Sequence, residues 1–99
     1  MITVLVQLPI RLDQREKFAT EIVPTILSSK HDGNKSVECF ESIGSPGDFL
    51  LLECWESERA FDEWRRSEAF QAAVGALDHL LARPPAVGRF SGSIQLAVA

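Results

Sequence analysis

Ser36-Val37-Glu38-Cys39-Phe40-Glu41-Ser42-Ile43, Gly44-Ser45-Pro46-Gly47 and Asp48-Phe49-Leu50-Leu51-Leu52-Glu53-Cys54-Trp55 follow one another without a break. Two extended-type runs flank a tetrapeptide of turn formers, which predicts a β-hairpin over residues 36–43 and 48–55. A four-residue loop pairing Ile43 with Asp48 sets Val37 opposite Cys54, Cys39 opposite Leu52 and Phe40 opposite Leu51. Cys39 and Cys54 are then diagonal neighbours, too offset for a disulfide, and read as buried thiols. The second run is apolar on both faces, with Phe49 and Leu51 on one and Leu50, Leu52 and Cys54 on the other. A strand covered on both sides is central in its sheet.

Working outward, Met1–Leu8 alternates Ile2, Val4, Val6 and Leu8 against Thr3, Leu5 and Gln7, a further strand that Pro9 ends. Asp13-Gln14-Arg15-Glu16 has the form of a capping box. Phe18, Ile22 and Ile26 then recur at helical spacing, and Pro24 is expected to bend or divide that helix near Val23. Residues 28–35 are a polar loop. Ser57 caps a short helix over residues 58–66, with Phe61 and Trp64 on one face. Ser67 caps another, with Phe70, Val74, Leu77 and Leu81 as its stripe, before Pro84-Pro85 stops it. A last strand is expected over Val87–Val98, alternating from Phe90 to Ile94, Leu96 and Val98.

The order β-α-β-β-α-β predicts the ferredoxin-like α+β class: a four-stranded antiparallel sheet with helices on one face. The chain of 99 residues is one domain, residues 1–99, with 45% hydrophobic and 24% charged side chains, a composition that argues against disorder. Its strands carry more apolar surface than one helical layer covers, so a homodimer packed through its sheet faces is expected. The net charge of −4 is concentrated in residues 31–58, where Lys35 stands alone against seven carboxylates. No basic stripe exists to hold a phosphate backbone, and the hairpin lacks a basic-aromatic signature for RNA. Nucleic acid and membrane are not expected partners, and two cysteines with no leader-like start point to a cytoplasmic setting.

The block Leu52-Glu53-Cys54-Trp55-Glu56-Ser57-Glu58-Arg59-Ala60-Phe61-Asp62-Glu63-Trp64, continuing to Ser67-Glu68-Ala69-Phe70, resembles the signature of the antibiotic biosynthesis monooxygenase domain family. In that family a strand ends in Trp-Glu-Ser, a helix with an Ala-Phe pair follows, and Ser-x-x-Phe opens the next helix. The resemblance implies a dimeric α+β barrel. It also implies one of several activities: cofactor-free monooxygenation of polycyclic or quinol substrates, haem degradation, or small-molecule isomerisation. The haem-degrading branch has an Asn near the end of strand one, a Trp on the short helix and a ligating His ten residues later. Here those places hold Gln7, Trp64 and Val74, and His79 lies about 140° further round the helix. Valine cannot ligate iron, so haem degradation is disfavoured.

Gln7 and Trp64 are the candidate catalytic residues: an amide to polarise a substrate oxygen and an indole to stack on its ring. Phe18, Ile22, Trp64, Val74 and His79 are the candidate substrate-binding residues of a pocket between helices and sheet. His31 lies in a polar loop at the mouth of such a pocket, and Trp55 reads as a structural anchor. The histidines and cysteines lack metal-ligand spacing, and no flavin fingerprint or Ser-His-Asp order is present, so neither metal nor cofactor is expected. The expected function is cofactor-independent monooxygenation of a small aromatic, quinol or polyketide-like molecule. The alternative is a non-catalytic homodimeric binding or structural protein of the same fold.

Overall fold

A computed structural model describes residues 1–92. Four strands form one antiparallel sheet in the order β2-β3-β1-β4: β1 Ile2–Pro9, β2 Asn34–Glu41, β3 Asp48–Trp55 and β4 Ala86–Ser91. Helical residues 12–28 (α1), Glu58–Arg65 (α2) and Glu68–Asp78 (α3) complete the ferredoxin-like α+β fold. Among the described residues no helix is long and apolar enough to cross a membrane.

β3 is central, as its two apolar faces require, and its side chains alternate strictly in burial. Phe49, Leu51, Glu53 and Trp55 are buried under the helices. Opposite them on β1 stand Leu8, Val6, Val4 and Ile2. The helix side holds two clusters. Leu8, Ile10, Phe18, Phe49, Leu51 and Leu80 form one, and Val4, Trp55 and Phe61 the other. Burying each such side chain contributes roughly 1.5–3 kcal/mol, so this layer dominates the stability of the chain.

The hairpin register differs from the expected one by a single residue. Glu41 pairs with Phe49, Cys39 with Leu51 and Val37 with Glu53. The turn is longer than the tetrapeptide: the Ser42 N–H donates to the Asp48 carbonyl at 2.8 Å. Its shape is set from outside. Gly47, at φ +91°, accepts from the Ile10 N–H at 2.8 Å and lies so close to the Ile10 carbonyl that a Cβ would meet it at 2.8 Å. One residue of slip reverses a side chain's face. Cys39 therefore turns to the helix side and Cys54 to the other; both are free and half-buried.

Further expectations have different outcomes. The capping box at Asp13 does not form, because the Arg11 guanidinium takes the Asp13 carboxylate at 2.8 Å and the chain enters α1 through a 3-10 turn. Pro24 divides the helix at Val23, as expected. It has no N–H for the Thr20 carbonyl, and the preceding turn, Phe18–Ile22, widens to π geometry before Val23–Ser28 resumes as α-helix. β4 starts at Ala86 and is described to Ser91; the expected continuation through Ile94, Leu96 and Val98 lies outside the described residues. The caps of α2 and α3 form as expected: Ser57 accepts from the Ala60 N–H and Ser67 from the Phe70 N–H, each at 3.1 Å.

The layers are tied by ion pairs. Arg15 of α1 donates two hydrogen bonds to Glu41, at 2.6 and 2.7 Å, and the Gly47 N–H donates to the same carboxylate. The Arg15 contact, with the Gly47 bond beside it, holds the Glu41 carboxyl at about 2, below its ordinary 4.5. A carboxylate lowered in the fold stabilises it above the unfolded value and loses that contribution as pH falls through the folded one. Urea titrations across pH should show the parent protein losing stability between pH 4.5 and about 2, with Glu41→Gln flatter over that window. An equally steep E41Q profile would mean the contact contributes nothing.

Candidate functional site

On the helix side, the end of β3 and the two helices that follow gather four aromatic rings. Trp55 meets Phe61 edge-on at 5.5 Å and lies roughly parallel to Trp64 at 6.4 Å. Trp64 in turn meets Phe70 edge-on at 5.7 Å. The sequence produces this by period: Trp55 faces the helices on the β3 pleat, and Phe61 and Trp64, three residues apart, share one face of α2. The Arg89 guanidinium of β4 lies 5.0 Å from the Phe61 ring centre and pairs with Asp62 at 2.8 Å and Glu58 at 3.1 Å, fixing α2 against the sheet.

Beneath the rings is the one buried charged side chain among the described residues, Glu53. Its carboxylate accepts from the Trp55 indole N–H at 2.9 Å. Burial pushes the Glu53 carboxyl above its ordinary range, and the indole hydrogen bond offsets part of that rise. Glu53 thus orients Trp55, and Trp55 backs Trp64.

A fifth ring joins at Trp64. His31, from the loop after α1, stacks on the indole with ring centres 3.7 Å apart and planes 28° from parallel. The loop is pinned close by. Gly33, at φ +82°, fits against Ala60 of α2 so tightly that a Cβ would lie 2.6 Å from the Ala60 Cβ. Its carbonyl accepts from the Glu56 N–H at 2.7 Å. Burial lowers the His31 pKa from its ordinary value.

The other candidate residues are scattered. Gln7 is exposed on the helix-free face, opposite Leu50 and Ala86, so the whole sheet separates it from Trp64. Gln7 lines an open cleft of about 470 Å³ with Phe40, Leu50, Asp48 and Arg83. Phe18 is fully buried in the first core cluster with its ring centre 4.6 Å from that of Phe49, and Ile22 packs around that cluster. Val74 is 44% exposed on α3, and His79 lies exposed at the end of that helix. The expected pocket between helices and sheet does not gather these residues, because Phe18 and Leu80 fill the space with core. What the sequence missed is the Glu53–Trp55 pair and the part of His31. The first was signalled by two residues spaced i, i+2 on one strand, and the second had no local signal.

The family model for antibiotic biosynthesis monooxygenase matches residues 1–76. The chain belongs to that family. It is 29% identical over 85 residues to YcnE of Bacillus subtilis, whose name provisionally assigns it as a monooxygenase; the match covers 85% of this chain and 90% of YcnE. Among crystal structures it is similar to a Deinococcus radiodurans protein provisionally assigned to the same family, with a TM-score of 0.83 at 18% identity over 100% of this chain and 99% of that one. It is also similar to Rv0793 of Mycobacterium tuberculosis, with a TM-score of 0.79 at 24% identity over 97% and 98% of the two chains. The matched residues of this family member include the whole block from Glu53 to Phe70 that builds the aromatic cluster.

Two substitutions separate orientation from charge. Glu53→Gln keeps an acceptor for the indole and removes the buried charge, whereas Glu53→Ala leaves the Trp55 N–H without a partner. E53A should cost about 1–3 kcal/mol by urea unfolding. E53Q should match or exceed the parent near neutral pH. A pKa raised by burial is a cost to the fold above the raised value, relieved as pH falls below the unfolded one, so any advantage of E53Q should vanish in acid.

Proposed function

We propose that this family member is a monooxygenase that binds a small aromatic, quinol or polyketide-like molecule on the helix side of its sheet, against the indole of Trp64. The observation that carries the reading is the His31–Trp64 stack. A flat ring, the imidazole, already lies against this indole at 3.7 Å, within the residues that match the family, which supports the reading. Bound there, an electron-rich substrate with an activated methylene carbon can react with dioxygen from its own deprotonated form. One oxygen atom enters as the carbonyl, the other leaves as water, and the substrate supplies all four electrons. The protein's part is to hold the ring and exclude water, and no cofactor is called on.

The second reading is a non-catalytic homodimer of the same fold. It is favoured by one observation: neither the Gln7 cleft nor the smaller cleft beside His31 has Trp64 in its wall.

Both readings include a homodimer through the helix-free face. That face carries Leu5, Phe40, Leu50, Leu52 and Phe90, of which Phe40 and Phe90 are 48% and 53% exposed. One end row of this face runs Phe40, Leu50, Gln7, Ala86, and the other Ser36, Cys54, Thr3, Phe90. The phenylalanines thus occupy diagonal corners. A two-fold axis lying between two such sheets, along or across the strands, sets each phenylalanine of one copy against Ser36 or Ala86 of the other. Large residues then face small ones, which two packed faces need.

Oxygen consumption with a panel of anthrones, quinols and flavonols should find at least one substrate, and Trp64→Ala should lower kcat/KM on it about tenfold or more. No uptake across the panel favours the non-catalytic reading. Sedimentation velocity should give a dimer at micromolar concentration and a monomer for Phe40→Glu with Phe90→Glu. A monomeric parent protein would remove the shared face from both readings.

A further inference from the structure

We propose that His31 is a two-position gate on a ring-binding site made by the outer face of Trp64: its imidazole holds the site in the empty protein and turns away when a planar aromatic ligand takes its place. The proposal rests on the reading that Trp64 is the wall against which the ligand stacks, and adds what controls access to it.

Three observations support it. First, the stack is a close, near-parallel contact, 3.7 Å between ring centres, so a ligand ring and the imidazole compete for one place on the indole. Second, the backbone carrying His31 is tied on both sides. The Ser29 hydroxyl donates to the Thr25 carbonyl at 2.7 Å, the Asn34 N–H donates to the His31 carbonyl itself at 3.0 Å, and Gly33 is wedged against Ala60. The imidazole can therefore leave by rotation of its own side chain while the loop stays fixed. Third, there is somewhere for it to go. A cleft of about 140 Å³, larger than an imidazole ring, adjoins His31 between the end of α1 and β2, lined by Leu27, Lys30, Asn34, Lys35 and Val37. Side-chain rotation of this kind is fast compared with loop or domain movement, so the gate sets affinity rather than limiting turnover.

The imidazole–indole stack has to be surrendered on binding, which weakens the observed affinity by about three- to tenfold. Removing the ring should return that factor. With 1-naphthol as the probe in calorimetric titrations, His31→Ala should bind about three- to tenfold tighter than the parent protein and His31→Phe more weakly. Trp64→Ala should abolish binding whether His31 is present or not. In the parent protein, the His31 ring protons should resonate upfield under the indole ring current and return to the position of an exposed histidine as 1-naphthol saturates. Tight binding that survives W64A would overturn the underlying assignment of the site. Binding lost in W64A but no tighter in H31A, or His31 resonances unmoved at saturation, would overturn the gate alone. No binding by any variant, H31A included, overturns both.

Discussion

The pleat of β3 carries the structure. Its alternation sends Phe49, Leu51, Glu53 and Trp55 under the helices and Leu50, Leu52 and Cys54 to the opposite face, and each neighbouring strand inherits its sidedness through the register. A shift of one residue would exchange the two faces of a neighbour, placing charged and polar groups in the core. That parity keeps Gln7 and Trp64 on opposite sides of one sheet. It also aligns Glu53 with Trp55, so that a buried carboxylate and a buried indole N–H satisfy each other at 2.9 Å. Either group left alone in that interior would be costly, and the pair fixes the ring on which the rest of the aromatic cluster is built.

The two faces are used differently. The helix side is filled by two apolar clusters, and the indole of Trp64 lies there stacked with His31. The other side is a sheet with exposed phenylalanines at diagonal corners and a cleft at one end. A chain of this length has one core to spend its apolar side chains on. The surplus, Phe40 and Phe90 among it, is left exposed on the helix-free face.

Family membership constrains the chemistry less than the fold. Within the matched residues 1–76, the signature block builds the β3 end, α2 and the start of α3, and these three elements position every ring of the cluster. The loop that supplies His31 is set by other means. Gly33 owes its place to contact with Ala60 and a hydrogen bond from Glu56, so a residue outside the signature block covers the residue most central to it.

The sequence by itself determined the element order, the central place of β3, the serine caps of α2 and α3 and the aromatic face of α2. Each depends on local period or on a side chain reaching its own backbone. It did not determine the hairpin register, because Gly47 is placed by the Ile10 backbone, nor the entry to α1, where Arg11 takes the carboxylate expected to cap. The strand alternation already set Gln7 on the face opposite Val4 and Val6. Only the tertiary structure showed that the helices cover the Val4 face, which takes Gln7 out of reach of Trp64, and only it could bring His31 onto that indole. Residues 33 and 60 meet across a packed interface, and contacts between positions far apart in the chain leave no periodic trace in the sequence.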